Sequence, residues 1–126
     1  RSAFEGALCD LCISREIGVV TYYSLASGFL TGKYRQPSDL AQSQRGSGIG
    51  KYLNPRGMRI IDTLEEVAAQ HHAKPGEVAL AWLMGREGVT APIASATSVA
   101  QVESFARAAQ LTLNAAQLAR LEIASA

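Results

Sequence analysis

The stretch that decides the fold of this chain reads Val19-Val20-Thr21-Tyr22-Tyr23-Ser24-Leu25-Ala26-Ser27-Gly28-Phe29-Leu30-Thr31-Gly32-Lys33-Tyr34-Arg35. It begins as a run of β-branched and aromatic residues, Val19 to Tyr23, which predicts a buried strand. Small, hydroxylated and glycine residues follow, and the stretch ends on the cations Lys33 and Arg35. This order predicts a strand whose carboxyl end opens into a loop that can approach an anionic ligand closely.

A second strand is predicted at Val89 to Ser95, where Pro92 weakens the pattern because proline cannot donate a backbone hydrogen bond. Helices are predicted before, between and after the two strands, at Phe4 to Glu16, Met58 to His71, Pro75 to Met84, Val99 to Ala109 and Leu118 to Ile123. Strands that alternate with helices predict parallel pairing through right-handed crossovers. Because two strands do not form a self-sufficient parallel sheet, the pattern predicts an α/β fold that needs further strands.

Capping patterns mark where the last two helices begin. Ser98 with Gln101 three residues on, and Asn114 with Gln117, both have the spacing of a capping box. The stretch from Ser24 to Pro55, in contrast, shows no sustained periodicity and is rich in Gly, Ser and Gln. It predicts a long loop without regular structure, of the kind that is commonly functional or mobile.

The composition excludes several classes of protein. The chain has 126 residues, of which 48% are hydrophobic and 18% charged, as expected of one globular, soluble domain. A net charge of +1 gives no reason to expect a nucleic-acid partner, and no apolar run is long enough to span a membrane. Cys9 and Cys12, the only cysteines, are too few for a zinc site, so we expect no metal. Two reduced thiols predict a cytoplasmic protein.

Two segments that follow the predicted strands are candidate binding sites. In the first, from Ser24 to Lys33, small residues allow backbone N–H groups to face a ligand, and hydroxyls and cations suit phosphate. The second, from Ser95 to Ser98, precedes a helix, and the N–H groups at a helix N-terminus favour an anion. An ordinary polar loop and an ordinary helix cap are the alternatives. Tyr22 and Tyr23 should alternate across the strand, so that one faces the ligand and the other packs.

Taken together, these segments resemble the C-terminal portion of an aldo-keto reductase. The resemblance rests on Tyr22 to Arg35, Val78 to Leu83, Pro92 to Gln101 and the closing Leu113 to Ala126, and it covers essentially the whole chain. It implies a (β/α)8 TIM barrel, with residues 1–126 forming a partial domain that holds strands seven and eight, paired in parallel, with the C-terminal helices. The long loop would be the family's mobile flap over the cofactor.

The resemblance also implies a cofactor site for NADPH. Tyr22 matches the aromatic residue that packs against the nicotinamide ring, and Lys33 matches the cation just beyond the diphosphate segment. The full set of residues expected on the cofactor is Tyr22, Tyr23, Ser24, Leu25, Ser27, Gly28, Lys33, Ser95, Thr97 and Gln101. Ser95 and Thr97 match residues near the adenosine ribose and its 2′-phosphate. Because Gln101 stands where an arginine would favour that phosphate, NAD is not excluded.

The family's catalytic Asp, Tyr, Lys and His lie on earlier strands, before Arg1, so the resemblance implies that no catalytic residue is present in this chain. A barrel of this kind takes about 250 residues. The expected function is therefore that of a C-terminal fragment of an NADPH-dependent reductase of aldehydes or ketones, in which this segment holds the cofactor and a small carbonyl compound is the substrate. A non-catalytic nucleotide- or anion-binding module and an inert truncated product remain as alternatives.

Overall fold

The computed structural model describes residues 1–42 and 48–126. Its helices and strands, in chain order, are α1 (Ala7–Ser14), β1 (Val20–Thr21), α2 (Pro55–Gln70), α3 (Pro75–Met84), β2 (Ala91–Pro92), α4 (Val99–Gln110) and α5 (Ala115–Ala124). The alternation of helices and strands expected from the sequence is confirmed. Within the described ranges, no helix is long and apolar enough to cross a membrane.

The two strands pair in parallel, as predicted, with Val20 opposite Ala91 and Thr21 opposite Pro92. Both are shorter than the sequence indicated, since two residues of each form the ladder in place of the five and seven predicted. β1 ends early because the chain turns after Thr21, and Tyr23 has a left-handed φ of 56°. The crossover between the strands runs through α2 and α3.

The stretch between β1 and α2 is not the structureless loop that its lack of periodicity predicted. Short 3-10 helical segments lie at Ala26–Thr31, Pro37–Gln42 and Gly50–Tyr52. Among the described residues, the largest fully buried side chains include Phe29, Tyr34 and Ile49 from this same stretch. These three residues pack the loop onto α2 and α3. The sequence shows no periodic pattern for this packing, because 3-10 segments are short. The part of the predicted flap at residues 43–47 lies outside the described residues.

The helix starts follow the capping chemistry of the sequence. Asn54 precedes Pro55, the first residue of α2, and the Asn54 side chain accepts a hydrogen bond from Gly57 N at 2.9 Å. Asn114 and Gln117 form the predicted capping box at α5. Ser98 Oγ accepts from Gln101 N at 3.4 Å, so the cap of α4 is also confirmed.

The core lies between the loop after β1 and the helices α2, α3 and α5. Its buried apolar residues are Phe29, Tyr34, Ile49, Ile61, Leu64, Val67, Ala68, Val78, Ala79 and Leu121. Helix α1 contributes little to it. Cys12 is buried, but Leu8 and Leu11 on the predicted apolar stripe are each 49% exposed. Val20 of β1 is 56% exposed, so apolar side chains are exposed on both α1 and the sheet.

Candidate functional site

The carboxyl ends of β1 and β2 meet, which brings the two candidate segments together. Ile93 N, just after β2, donates to Thr21 O at 3.0 Å. Ser24 Oγ accepts a hydrogen bond from the same Ile93 N at 3.1 Å and donates to Thr21 O at 2.8 Å. Ser24 is buried, so its hydroxyl fastens the loop to both strands. These hydrogen bonds hold the Ser24 hydroxyl within the protein, and its contact with a cofactor stays a prediction.

Replacing Ser24 by alanine is expected to lower the free energy of unfolding by about 1 kcal/mol, because a buried hydroxyl that bridges both strands is lost. Urea unfolding followed by circular dichroism measures the change. Ser95→Ala is the matched control, since Ser95 is exposed and follows the other strand. Equal losses in the two variants would contradict the assigned role of Ser24.

The loop after Ser24 has an unusual backbone. Ala26, Ser27 and Gly28 have φ angles of 49°, 60° and 98°, so three consecutive residues lie in the left-handed region. This region is costly for residues that carry a side chain and is often retained at binding sites. Thr31 Oγ1 donates to Gly28 O at 2.7 Å, which closes the turn from its far side. Leu25, expected on the cofactor, packs its side chain against the core.

The two tyrosines do not alternate across a strand, because β1 ends before them. Tyr22 is 76% exposed and Tyr23 is 60% exposed, so neither is the packing residue that the sequence predicted. Their rings meet edge to face, with centroids 4.2 Å apart. Both therefore present aromatic surface at the carboxyl end of β1.

Lys33 lies beside the backbone of Gly28. A methyl group built on the Gly28 α-carbon would stand 3.8 Å from Lys33 Cε, an ordinary contact, so the φ of 98° and not a lack of space favours glycine here. Lys33 is exposed, and its Nζ lies 5.0 Å from the centroid of the Tyr34 ring, which is itself buried. The Lys33 ammonium and the left-handed turn at Gly28 thus form one surface that could receive an anion.

Arg35, also expected to offer charge to a ligand, is committed elsewhere. Its guanidinium contacts Asp62 Oδ1 at 2.6 Å and Glu65 Oε2 at 2.5 Å, both on α2. The hydrogen bond to Asp62 is the main cause that raises the pKa of Arg35 above its ordinary value. The sequence could not show this pairing, since Asp62 and Glu65 lie 27 and 30 positions after Arg35 in the chain.

The second segment is exposed and partly ordered by its own helix. Ser95, Thr97 and Gln101 are all exposed. Gln101 Oε1 accepts from Thr97 N at 2.7 Å and from Thr97 Oγ1 at 3.3 Å. One half of the predicted capping box is therefore present: Ser98 Oγ accepts from Gln101 N, but the Gln101 side chain bonds to Thr97 and not to the Ser98 backbone. The amide oxygen of Gln101 holds the segment that precedes α4.

Sequence reasoning missed the group that fixes α4. Glu77 in the first turn of α3 is 2% exposed. Its carboxylate accepts from Ser104 Oγ at 2.6 Å and from Arg107 Nε at 3.0 Å, both on α4. It also accepts from Lys74 N at 3.1 Å, as a capping residue does. The three-residue spacing of Ser104 and Arg107 on one face of α4 was the available signal.

The structure also contains an open cleft of about 890 Å³ along β1. It is lined by residues of α1, β1, α2 and α3, and Tyr22, Tyr23 and Ser24 reach its edge. Lys33, Thr97 and Gln101 are not among its lining residues. In the part of the chain that the structure describes, no group of three His, Cys, Asp or Glu residues could hold a metal ion.

Comparison with known proteins gives consistent matches. The model of the aldo/keto reductase family matches residues 1–126. Aldo-keto reductase str7 of Strobilurus tenacellus is 30% identical, over 84% of this chain and 33% of that protein. Aldo-keto reductase yakc [NADP(+)] of Schizosaccharomyces pombe is 26% identical, over 79% of the chain and 30% of that protein. An uncharacterized oxidoreductase of Mycobacterium tuberculosis is 39% identical, over 90% of this chain and 36% of that protein. The chain spans about a third of the length of these relatives.

Proposed function

The chain belongs to the aldo/keto reductase family, and on this premise we propose that it forms the cofactor-holding, C-terminal part of a (β/α)8-barrel reductase. In this proposal β1 and β2 are strands seven and eight of the barrel, and residues 1–126 are a partial domain. The parallel pairing of β1 with β2 supports it. So does the half-exposed apolar surface of Leu8, Leu11 and Val20, which further strands would cover.

The proposed reaction is the reduction of an aldehyde or ketone to an alcohol with NADPH. When bound, the dinucleotide supplies the hydride. The residues of this chain bind and orient it, and orientation is a large part of what a protein contributes to such chemistry. The residues that exchange a proton with the carbonyl oxygen are proposed to come from earlier strands, so no residue of this chain is assigned a catalytic role.

The single observation that carries the proposal is the surface formed by Gly28 and Lys33 at the end of β1. A cation held beside a left-handed, glycine-containing turn fits a diphosphate, which needs both charge and close backbone approach. We propose that Ser27, Gly28 and Lys33 hold the diphosphate, with Tyr23 and Leu25 shaping that segment. Ser24 fastens the loop to the strands and lies beside these residues in the proposed site.

The remaining residues are assigned by their position around this surface. The exposed ring of Tyr22 is proposed to pack against the nicotinamide, and Ser95, Thr97 and Gln101 to lie on the adenosine side. NADPH is favoured because one relative carries NADP(+) in its name. NADH remains a second cofactor to test, since Gln101 is uncharged. The free thiols Cys9 and Cys12 are compatible with a reducing compartment, and we propose a cytoplasmic location.

A fluorescence titration of the purified chain with NADPH tests the proposal. Lys33→Ala is expected to weaken binding about tenfold, because one charge-assisted hydrogen bond to phosphate is lost. Lys51→Ala is the matched control, since Lys51 Nζ also lies 5.0 Å from the ring of the following tyrosine, Tyr52. Binding by Lys51→Ala should equal that of the unmodified chain.

Two outcomes would contradict the proposal. The first is no saturable binding of NADPH by the chain, which would favour an inert product. The second is an equal loss in Lys33→Ala and Lys51→Ala, which would show a non-specific response to charge. Saturable binding of inorganic pyrophosphate that NADPH does not displace would instead favour an anion-binding module that holds no dinucleotide.

A further inference from the structure

Arg35 binds two carboxylates two residues after Lys33. Its guanidinium reaches Asp62 Oδ1 at 2.6 Å and Glu65 Oε2 at 2.5 Å, so one cation contacts two acidic residues of α2. Asp62 and Glu65 are three residues apart and therefore lie on one face of that helix. The side chain of Arg35 is 37% exposed, while those of Asp62 and Glu65 are 60% and 46% exposed. These carboxylates would be accessible to another cation if Arg35 were absent.

Lys33 lies two residues before Arg35 and directly after Gly32, which one of these carboxylates approaches. A methyl group on the Gly32 α-carbon would stand 3.2 Å from Glu65 Oε1, so that carboxylate lies against the residue immediately before Lys33. Among the described residues, no carboxylate forms an ion pair with Lys33. The Lys33 ammonium lies over the Tyr34 ring. The position of Glu65 would allow such a pair, and Arg35 occupies it instead.

The backbone around Arg35 is also held in place. Arg35 N and Gln36 N donate to Asp39 Oδ2 at 2.8 and 3.0 Å. Tyr34 is fully buried in the core. The residues after Lys33 are thus anchored on both sides of Arg35, so the loss of its side chain would change the charges on this surface more than the path of the chain.

We propose that Arg35 is a positioning residue that occupies the carboxylates of Asp62 and Glu65 and so leaves the Lys33 ammonium available for the phosphates of the dinucleotide. This inference rests on the proposed function. Without Arg35, the two carboxylates would weaken anion binding in two ways. They would attract the Lys33 ammonium away from the anion, and they would repel the anion itself. A contact made only between protein residues would then determine how strongly the ligand is held.

Substitution of Arg35, alone and together with its partners, tests the inference. Arg35→Ala is expected to weaken NADPH binding about five- to tenfold, and adding Glu65→Gln and Asp62→Asn should return it to within about twofold of the original. In a Lys33→Ala background, Arg35→Ala should weaken NADPH binding much less, since the ammonium that Arg35 keeps available is already missing. Arg35→Lys should bind at an intermediate strength, because a lysine cannot span both carboxylates as a guanidinium does.

A purely structural role for Arg35 predicts a different pattern. If its ion pairs only tie the loop to α2, then Glu65→Gln with Asp62→Asn breaks the tie as completely as Arg35→Ala does. Those two variants would then weaken binding alike, and the combined variant would show no recovery. That pattern would overturn the inference. Under the proposal, Glu65→Gln with Asp62→Asn in the presence of Arg35 leaves binding unchanged or strengthens it.

A measurement without cofactor separates this inference from the proposed function. The ¹³Cε resonance of Lys33, assigned by its loss in Lys33→Ala, should shift in Arg35→Ala and return when Glu65→Gln and Asp62→Asn are added. A resonance that does not respond to Arg35→Ala would overturn the inference even if NADPH binds. Failure of the unmodified chain to bind NADPH, together with the expected shift, would instead contradict the proposed function and leave the competition for Lys33 established.

Discussion

Replacing Gly57 by alanine is expected to destabilise the chain by at least about 3 kcal/mol, at the upper end for a methyl group forced into a packed site. The new Cβ would stand 1.9 Å from Tyr52 O and 3.1 Å from Phe29 Cζ. The contact with Tyr52 is with backbone, so a side-chain rotation cannot relieve it. Either α2 or the preceding turn has to move.

The close approach at Gly57 arises from how the chain enters α2. Asn54 N donates to Tyr52 O at 2.9 Å, so the backbone folds back tightly just before the helix. The Asn54 side chain then accepts from Gly57 N, which brings the first turn of α2 against that reversal. The rings of Tyr52 and Phe29 stack beside it with centroids 5.3 Å apart. A side chain at Gly57 would separate these groups.

Gly76→Ala is a closely matched control for Gly57→Ala. Gly76 also lies in the first turn of a helix that begins with proline, but a methyl group there would make ordinary contacts of 3.6 to 3.8 Å with Thr31 and Leu25. Since alanine favours helix, Gly76→Ala should be neutral or stabilising by up to about 1 kcal/mol. Urea unfolding followed by the fluorescence of Trp82, the only tryptophan, measures both. Similar stabilities for the two variants would contradict the steric argument.

Replacing Glu77 by alanine is the second large effect, and we expect a loss of about 2 to 3 kcal/mol in the free energy of unfolding. The Glu77 carboxylate is buried and accepts hydrogen bonds from Ser104 and Arg107 on α4 and from the backbone of Lys74. Its removal takes away the link between α3 and α4 together with a helix cap. Arg107 remains half exposed, so water can solvate it and the loss stays below that for a fully buried pair.

The same carboxylate makes stability depend on pH. Burial alone would raise the pKa of Glu77, but the hydrogen bonds from Ser104, Lys74 and Arg107 outweigh it, and the net pKa lies below its ordinary value of 4.5. A carboxyl group whose pKa is lower in the folded state stabilises the fold above its unfolded pKa. That contribution is lost as the pH falls below about 4.5 and through the folded pKa.

Glu77→Gln and Glu103→Ala complete this test. Glutamine keeps the shape of the side chain without its charge, so Glu77→Gln should be less stable at neutral pH and should lose less stability on acidification. Glu103 is exposed on α4, and its replacement should change neither quantity. Unfolding curves recorded between pH 7 and pH 3 measure both. An acid response in Glu77→Gln as steep as in the unmodified chain would refute the assignment to Glu77.

Much of the fold could be predicted because its signals act over short distances. Asn114 with Gln117 forms its capping box from residues three apart, and Pro75 begins α3 at the first helical position. The alternation of strands with helices indicated parallel pairing, and β1 and β2 do pair in parallel. The strand ends were placed too far along the chain, since the left-handed turn at Tyr23 is not announced by an aromatic, β-favouring residue.

The candidate site was only partly predictable from its residues. The sequence located the loop after β1 and the turn before α4, because each combines small, hydroxylated and charged residues next to a strand. It treated Lys33 and Arg35 as equivalent cations and Ser24 as one more hydroxyl. In the structure Arg35 is paired on α2 and Ser24 is buried between the strands, while Lys33 stays exposed beside Gly28.

By itself, then, the sequence determined the order of the elements, their capping and the segments proposed to face a ligand, since each depends on residues within a few positions of one another. Only the tertiary structure decided which side chains remain for that ligand. Arg35 meets Asp62 and Glu65, and Glu77 meets Ser104 and Arg107, across about 27 to 30 positions of sequence. Such partners are set by the packing of helices against one another, and no local pattern in the chain specifies them.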